Sequence, residues 1–236
     1  MKATILQYEV CDELPAEWPS AWFIINTINP HSYCVAKKDA IFRGSLQQSD
    51  LLIPDGVGIV WAARRLQKKK IRKIAGADLH DHMLGMLNRS GGRCFYLGAA
   101  QSTLDKIKTR IEQEQPEITA GFFSPPYKPQ FTEEDNRIMI EQVNSFAPDV
   151  LFVGMTAPKQ EKWVHANKDK LNVKVICSIG AVFDFYAGTT KRPPKWLISI
   201  GLEWLGRLLM EPRRLWRRTF VSGPIFIYDV LRTKRS

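Results

Sequence analysis

Short apolar segments alternate with longer amphipathic ones along most of the chain, and this alternation restricts the fold more than any other feature. The clearest apolar segments are Trp22–Ile28, Arg93–Leu97, Val150–Val153 and Val173–Ile179, each of which has the length of a buried strand. Strands that alternate with helices in this way are joined by right-handed crossovers, which produce a parallel sheet. The sequence therefore predicts an α/β fold with a Rossmann-like, mostly parallel sheet flanked by helices.

Local patterns predict several elements within this alternation. The first residues predict a strand near Thr4–Val10, and one helix is predicted from Ser32 to about Gln47. Two Ser/Thr-x-x-Asp patterns, beginning at Ser102 and Thr132, predict helix N-termini closed by reciprocal side-chain and backbone hydrogen bonds. Both of these helices follow predicted strands, as a crossover fold requires.

The composition argues against a membrane-spanning chain and against a disulfide framework. No run of 18 apolar residues occurs, and the N-terminal segment is acidic where a signal peptide has its apolar centre. The four cysteines, at positions 11, 34, 94 and 177, form no Cys-x-x-Cys pair, which favours reduced thiols. We therefore expect a cytoplasmic protein.

The net charge of +10 is distributed unevenly. Residues 191–236 contain eleven Lys/Arg and three Asp/Glu, hence a charge of +8, whereas residues 1–190 carry only +2. A basic tail on a nearly neutral body needs its own explanation. The charge thus predicts a boundary between an α/β domain over residues 1–190 and a basic, aromatic-rich helical appendage over residues 191–236.

The segment Leu51–Leu66 contains the most distinctive turn of the chain. A short apolar run ends at Pro54, an Asp-Gly-Val-Gly turn occupies residues 55–58, and a helix is predicted to follow. The glycines let the backbone approach a ligand, and the first N–H groups of the helix can receive a polar or anionic group. Asp55 is therefore the leading candidate for a chemical role. Taken alone, the same residues also fit an ordinary Pro-Asp-Gly turn.

Ligands of open parallel sheets bind beyond the carboxyl ends of the strands, where several loops of this chain contain glycine. Backbone N–H groups in such loops can hold the diphosphate of a nucleotide or nucleotide sugar. The candidate nucleotide-binding residues in these loops are Gly98, Gly154, Lys159, Glu161 and Asp184. For any one loop, glycine as a plain helix cap explains the sequence equally well.

Other ligand chemistries lack their sequence patterns. The chain has no G-x-x-x-x-G-K-[ST] motif, and Trp61 occupies the third glycine position of a G-x-G-x-x-G fingerprint. His80 and His82 are two residues apart and project from different helix faces, and no Asp-x-Asp pair follows a strand. We therefore predict no metal and no cofactor.

Six motifs in the same order resemble the WecG/TagA/CpsF glycosyltransferases (glycosyltransferase family 26), over about residues 20–220. They are Thr27–Pro30 (TINP), Pro54–Gly58 (PDGVG) with Trp61-Ala62, Ala75–Leu79 (AGADL), Gly154–Glu161 (GMTAPKQE), Phe183–Gly188 (FDFYAG), and Gly201–Leu205 (GLEWL) with Glu211–Arg218 (EPRRLWRR). The resemblance implies an inverting, metal-independent enzyme of cell-surface polysaccharide assembly. Such an enzyme moves N-acetylmannosamine or a related sugar from a UDP donor to a polyprenyl-diphosphate-linked acceptor.

The resemblance also implies residue roles. Asp55 matches the general base that deprotonates the acceptor hydroxyl, and Thr27, Asn29 and Gln160 match positions that hydrogen-bond the sugar. An inverting displacement needs one such carboxylate and no covalent intermediate, which agrees with this assignment. Where the family usually has Arg, this chain has Lys73 preceded by Arg72, and Lys cannot form a bidentate fork. Either residue can be the substituting cation.

The appendage combines aromatic and basic residues between Trp196 and Phe220. Such segments favour an anionic bilayer surface, and the resemblance implies membrane docking on the inner face of the cell membrane. It also implies that appendage arginines complete the site over the UDP diphosphate; the candidates are Arg213, Arg214, Arg217 and Arg218. A solvated basic face packed on its own domain is the alternative explanation.

Two further interpretations concern partners. A nucleic-acid-binding module with a basic tail is the alternative function, and it rests on charge alone because the chain contains no recognised reader motif. With the glycosyltransferase interpretation we expect no nucleic-acid partner. The apolar content of the tail also favours a homo-oligomer.

Overall fold

The computed structural model describes residues 1–190, 193–194, 197 and 202–234. Its strands are β1 Lys2–Ile5, β2 Tyr8–Cys11, β3 Phe23–Ile28, β4 Leu51–Pro54, β5 Arg93–Gly98, β6 Thr119–Phe123, β7 Val150–Gly154 and β8 Val175–Ser178. Its helices are α1 Pro30–Ala36, α2 Ala40–Gln47, α3 Val57–Gln67, α4 Gly76–Ser90, α5 Gln101–Glu114, α6 Glu133–Phe146, α7 Lys159–Asn167, α8 Val182–Tyr186, α9 Glu203–Met210, α10 Pro212–Arg217 and α11 Gly223–Arg232. Short 3₁₀ and π turns occupy Lys168–Lys170 and Arg218–Ser222.

A six-stranded sheet forms the centre of the fold, with the strand order β4-β3-β8-β7-β5-β6. The pairs β3–β8, β8–β7, β7–β5 and β5–β6 are all parallel. Helices connect these strands because parallel neighbours need a crossover. The predicted Rossmann-like parallel sheet is therefore confirmed, as is the helical C-terminal appendage.

The chain forms two compact units that are built from interleaved segments. The first unit contains Met1–Glu13, Thr27–Ala75 and Lys191–Ser236, and the second contains Leu14–Asn26 and Gly76–Thr190. The boundary between them crosses β3 after Asn26. The functional division at residue 190 into a catalytic domain and a membrane-associating appendage stays a prediction.

The core of the first unit includes side chains from its last helix. Phe226 and Val230 of α11 are 1% and 0% exposed and belong to the same apolar cluster as Ile28 and Ile59. The Tyr33 ring meets Phe226 edge-on at 5.3 Å, and its hydroxyl group donates a hydrogen bond of 2.9 Å to Asp229 Oδ2. This part of the tail is thus integral to the folded unit.

Two sequence predictions in the first unit are wrong in detail. The predicted strand at Thr4–Val10 is an antiparallel hairpin, because Leu6 adopts a positive φ of 57° between β1 and β2. The predicted helix from Ser32 to Gln47 is interrupted after Ala36, and Asp39 starts α2 by accepting a hydrogen bond from the Phe42 N–H. A local side-chain cap competes with helix continuation at this point.

The second unit contains the central part of the sheet and its covering helices. Its apolar cluster includes Leu97, Val153 and Ile176, all from strands. The predicted capping box at Thr132 is confirmed, with Asp135 as its reciprocal partner. The one at Ser102 is wrong, because α5 begins at Gln101 and its N-cap is Ala100, two residues before the predicted cap.

The described part of the appendage exposes several large apolar side chains. In α9–α11 the side chains that are 45% or more exposed include large apolar ones: Leu209, Met210, Trp216, Phe220, Val221, Ile227, Tyr228 and Leu231. None of the helices among the described residues combines the length and the apolar character needed to cross a membrane. The predicted features at Trp196 and Gly201 lie outside the described residues.

Candidate active site

Asp55 immediately follows β4, and backbone hydrogen bonds hold this turn on both sides. The Asp55 N–H donates to the Ile28 carbonyl at 2.9 Å, and the Ile74 N–H donates to the Pro54 carbonyl at 3.0 Å. Gly56 adopts a φ of 104° before α3, a conformation that favours glycine. The carboxylate therefore lies between the end of β3 and the segment that contains Lys73.

Asn29 connects the end of β3 to Asp55. As the N-cap of α1, its Oδ1 accepts hydrogen bonds from the N–H groups of His31 at 3.0 Å and Ser32 at 2.9 Å. With the amide oxygen held in this way, the amide group hydrogen-bonds Asp55. Thr27, the other predicted residue here, is half-buried near the end of β3.

Gly58, the second glycine of the turn, is required because α3 approaches α1 closely. A methyl group at Gly58 would lie 2.6 Å from Cγ of Pro30, and that carbon belongs to a rigid ring. A residue larger than glycine would therefore separate the helix after Asp55 from the helix after Asn29. The Pro54–Gly58 motif thus sets the spacing of the two side chains.

Charged side chains of both signs act on the Asp55 carboxylate. Burial is the main reason that its pKa is raised above the usual range. Lys73 and Arg207 and the hydrogen bond from Asn29 oppose this shift, while Glu203 reinforces it. Asn29, Asp55, Lys73, Glu203 and Arg207 form what we call the carboxylate cluster, in which the Asp55 carboxylate has two cations and a second anion near it.

Sequence reasoning identified three members of this cluster and missed Glu203 and Arg207. Lys73 Nζ lies 2.5 Å from Glu203 Oε2, and the two side chains are only 20% and 15% exposed. The Arg72 side chain is 82% exposed, although its backbone N–H donates to Asp12 Oδ2 at 2.7 Å. Glu203 lay within a motif of the family resemblance, GLEWL, but nothing in its spacing indicated a partner 130 residues earlier.

In the second unit, Gly98 and Gly154 end neighbouring parallel strands. Gly98 has a φ of 125°, and a methyl group there would lie 2.4 Å from the Gly154 carbonyl oxygen. That carbonyl accepts a hydrogen bond of 3.1 Å from the Ala99 N–H. The close approach of the two backbones therefore requires glycine at position 98 of the predicted loop.

Gln160 and Glu161 begin α7 as a buried amide–carboxyl pair. They are 3% and 2% exposed, and Gln160 Nε2 donates to Glu161 Oε1 at 2.9 Å. Within the described residues, Gln160 Oε1 and Glu161 Oε2 are buried without a hydrogen-bond partner. Desolvation raises the pKa of Glu161 to about 7, against the opposing hydrogen bond from Gln160. These two oxygens can accept hydrogen bonds from a polar ligand.

The other two predicted nucleotide-binding residues of this unit have structural partners. Lys159 Nζ donates to the Lys128 carbonyl at 2.6 Å and lies 3.6 Å from the centre of the Phe131 ring. Asp184 in α8 is half-buried, and its carboxylate accepts a hydrogen bond of 3.3 Å from the Thr189 hydroxyl group. Both residues therefore stabilise loops at the strand ends.

The appendage arginines differ in their surroundings. Arg213 and Arg217 are exposed on α10, and the Arg217 guanidinium lies 5.3 Å from the centre of the Trp216 ring. Arg218 is half-buried at the start of the π turn, and the backbone of Arg214 lies in α10. The side chain of Arg214 lies outside the described residues.

The part of the chain that the structure describes contains no group of three or more His, Cys, Asp or Glu side chains placed to hold a metal ion. His80, the most buried histidine, instead hydrogen-bonds the Tyr96 hydroxyl group through Nε2 at 2.6 Å.

Comparison with known proteins gives consistent matches over nearly the whole chain. The model of the Glycosyl transferase WecG/TagA/CpsF family matches residues 7–236. An N-acetylglucosaminyldiphosphoundecaprenol N-acetyl-beta-D-mannosaminyltransferase of Bacillus subtilis (strain 168) is 31% identical over 213 residues, which are 90% of this chain and 80% of that protein. A protein of the same name from Staphylococcus aureus (strain MW2) is 28% identical over 213 residues, or 90% and 81% of the two chains.

Proposed function

Because the chain belongs to the WecG/TagA/CpsF glycosyltransferase family, we propose that it transfers N-acetylmannosamine or a related sugar from a UDP-sugar to a polyprenyl-diphosphate-linked acceptor. The transfer inverts the configuration at the anomeric carbon. The names of the relatives from Bacillus subtilis and Staphylococcus aureus, which specify a lipid-linked N-acetylglucosamine acceptor, support this substrate class.

The environment of Asp55 carries the mechanistic part of the proposal. The Asp55 carboxylate takes the proton from the acceptor hydroxyl group as that oxygen attacks the anomeric carbon. The bond from this carbon to the UDP oxygen breaks, and UDP leaves with the electron pair. A base works best when its pKa is close to the working pH, so the raised pKa of Asp55 suits this step.

Other residues of the proposal bind the substrates. Thr27, Asn29 and Gln160 hydrogen-bond the sugars, and Glu161, beside Gln160, adds an acceptor oxygen for the nucleotide. Lys73 is the cation that replaces the usual arginine, because it belongs to the carboxylate cluster while the Arg72 side chain is exposed. Gly98, Gly154, Lys159 and Asp184 shape the loops that hold the nucleotide.

The appendage has two roles in the proposal. Its arginines act on the leaving group, and its basic and apolar side chains bind the membrane. Arg213, Arg214, Arg217 and Arg218 stabilise the negative charge that develops on the departing diphosphate. The exposed apolar side chains of α9–α11 insert into an anionic bilayer, where the lipid-linked acceptor resides. Each basic residue at such a surface contributes about 1 kcal/mol, so several can hold the protein reversibly.

The reaction is tested by incubating the purified chain, without added metal, with single UDP-sugars and a short-chain polyprenyl-diphosphate N-acetylglucosamine. We expect a product heavier by one sugar residue, with inverted anomeric configuration by NMR and stoichiometric UDP release. UDP release without sugar on the acceptor, or retention of configuration, would contradict the proposal.

Membrane binding is tested with point substitutions, because Phe226 and Val230 are in the core and deletion of the tail would unfold the first unit. We expect Leu209→Glu with Phe220→Glu to lower flotation with anionic vesicles at least tenfold. Ile41→Glu, at an exposed apolar residue of α2, is the matched control and should float like the parent chain.

Two outcomes would contradict the membrane assignment. One is equal flotation of the doubly substituted chain and the control. The other is tight filter binding to single-stranded or duplex nucleic acid with no vesicle binding, which would favour the alternative based on charge alone.

A further inference from the structure

The ion pair between Lys73 and Glu203 is more buried than a surface pair of the same unit. Its side chains are 20% and 15% exposed, whereas those of the Lys2–Glu9 pair are 69% and 63% exposed. Withdrawing two charges from water has a desolvation cost that their mutual attraction offsets only with good geometry. The arrangement therefore suits a role in positioning more than a role in stability.

The local structure around Glu203 places its carboxylate next to Lys73. It is the first residue of α9, where a carboxylate interacts favourably with the helix dipole. Gly206, one turn later, is buried, and a methyl group there would lie 2.9 Å from Cβ of Pro193. The helix that presents Glu203 is thus closely packed at its first turn.

Lys73 is held next to Asp55 by the backbone as well as by charge. The residue after it, Ile74, donates its N–H to the carbonyl of Pro54, which directly precedes Asp55. Among the described residues, the Lys73 ammonium group pairs with Glu203 and not with Asp55, although its charge acts on Asp55. Glu203 and Asp55 therefore compete for one cation.

We propose that Glu203 is a positioning residue of the transfer reaction, which holds the Lys73 ammonium group away from the Asp55 carboxylate. This proposal rests on the role of Asp55 in the proposed function. Without Glu203, Lys73 would form an ion pair with Asp55. That pair would weaken the base and occupy the oxygen that receives the acceptor proton.

The inference predicts a specific change in the pH dependence of acceptor turnover. In Glu203→Gln an anion near Asp55 is removed and Lys73 is freed, and both changes lower the pKa of Asp55. We expect the acidic limb of kcat/KM to move to lower pH by about one unit, and the plateau rate to fall about tenfold. Glu203→Asp should recover part of both changes.

Two matched variants separate this effect from a general loss of structure. Glu9→Gln removes one partner of the exposed ion pair and should leave the pH profile unchanged. In a Lys73→Met background the cation is absent, so Glu203→Gln should have a clearly smaller effect on the acidic limb than in the parent chain. The Glu203 variants are first checked for a native circular dichroism spectrum.

The outcome that overturns the proposal is an unchanged acidic limb in Glu203→Gln, or an equal shift with and without Lys73. If Glu203→Gln loses its native spectrum, Glu203→Ala, which also removes the carboxylate, decides instead, and an unshifted acidic limb in that variant also overturns the proposal. If instead Asp55 is not the base, Asp55→Asn would retain turnover whatever the Glu203 variants do. This result distinguishes a failure of the proposed function from a failure of the Glu203 proposal.

Discussion

Asp55 directly follows β4 and Glu161 lies in the first turn of α7, and burial raises the pKa of both carboxyl groups. Their neighbours differ. Asp55, in the first unit, has two cations and a hydrogen bond from Asn29 that favour its ionised form. Among the described residues, the groups that favour the ionised form of Glu161, in the second unit, are the neutral amide of Gln160 and its own backbone N–H.

The difference indicates two kinds of chemistry for the same functional group. A carboxylate whose ionised form is favoured by neighbouring cations is suited to accept a proton during a reaction. A carboxyl group that titrates near neutral pH without a cation suits ligand recognition, where it accepts or donates a hydrogen bond according to its protonation state. Substitutions that keep shape and change charge can separate the two roles.

The largest expected effect is that of Asp55→Asn on sugar transfer. Because general-base catalysis contributes typically 10²–10⁴-fold, we expect kcat to fall about 10³-fold while donor binding changes little. Glu161→Gln should act mainly on the KM for the donor. Steady-state kinetics and calorimetric donor titration measure both variants. If the kcat of Asp55→Asn stayed within tenfold of the parent value, the proposed difference in role between Asp55 and Glu161 would be wrong.

The second prediction concerns stability and pH at Glu161. Its folded pKa of about 7 exceeds the usual value of 4.5, so the folded state binds the proton more tightly between these values. The free energy of unfolding therefore falls as pH rises through this window, by about 3 kcal/mol from this group. Glu161→Gln removes the titration, and its amide oxygen can still accept the Gln160 hydrogen bond.

Urea denaturation of the parent and Glu161→Gln chains at pH 5 and pH 8 measures this effect. The stability of the variant relative to the parent should be larger at pH 8 than at pH 5. A pH-independent difference would mean that Glu161 does not titrate in this range. Glu117→Gln, at an exposed glutamate of the same unit, is the control for removing a charge.

The smallest expected effect is that of Asn29→Asp on the pH profile of transfer. Aspartate caps a helix as well as asparagine does, so α1 stays capped, but the amide donor to Asp55 is replaced by an anion. The loss of the donor and the added negative charge both raise the pKa of Asp55. The acidic limb of kcat/KM should therefore move to higher pH by about one unit. A limb that is unmoved, or moved to lower pH, would contradict the contact between these residues.

Much of the fold was predictable because it depends on local periodicity. The apolar segments at Arg93–Leu97 and Val150–Val153 have the length and composition of buried strands, and they correspond to β5 and β7. The break after Ala36 was missed because one side-chain hydrogen bond, from the Phe42 N–H to Asp39, starts a new helix. The start of α5 was placed too late because this helix begins after Ala100 without a side-chain cap. The hairpin of β1 and β2 depends on a positive φ at Leu6, for which the sequence contains no glycine signal.

Parts of the candidate site were predictable for similar reasons. Gly56 and Gly58 beside an aspartate indicate close backbone approach, and the order of six motifs indicates the family. Glu203 and Arg207 could not be assigned to the site, since they are about 150 residues from Asp55 in the sequence and belong to a helix with an ordinary amphipathic pattern. Periodicity identifies which face of a helix is apolar, but not which charged group that helix meets.

The sequence by itself determined the alternation of strands and helices, the Asp-Gly turn after β4 and the basic character of the appendage, because each depends on residues close together in the chain. Only the tertiary structure decided that Lys73 pairs with Glu203, that Asn29 hydrogen-bonds Asp55 and that α11 contributes Phe226 to the core. The physical reason is that the pKa of a carboxyl group and the partner of a cation depend on desolvation and on charges a few ångströms away.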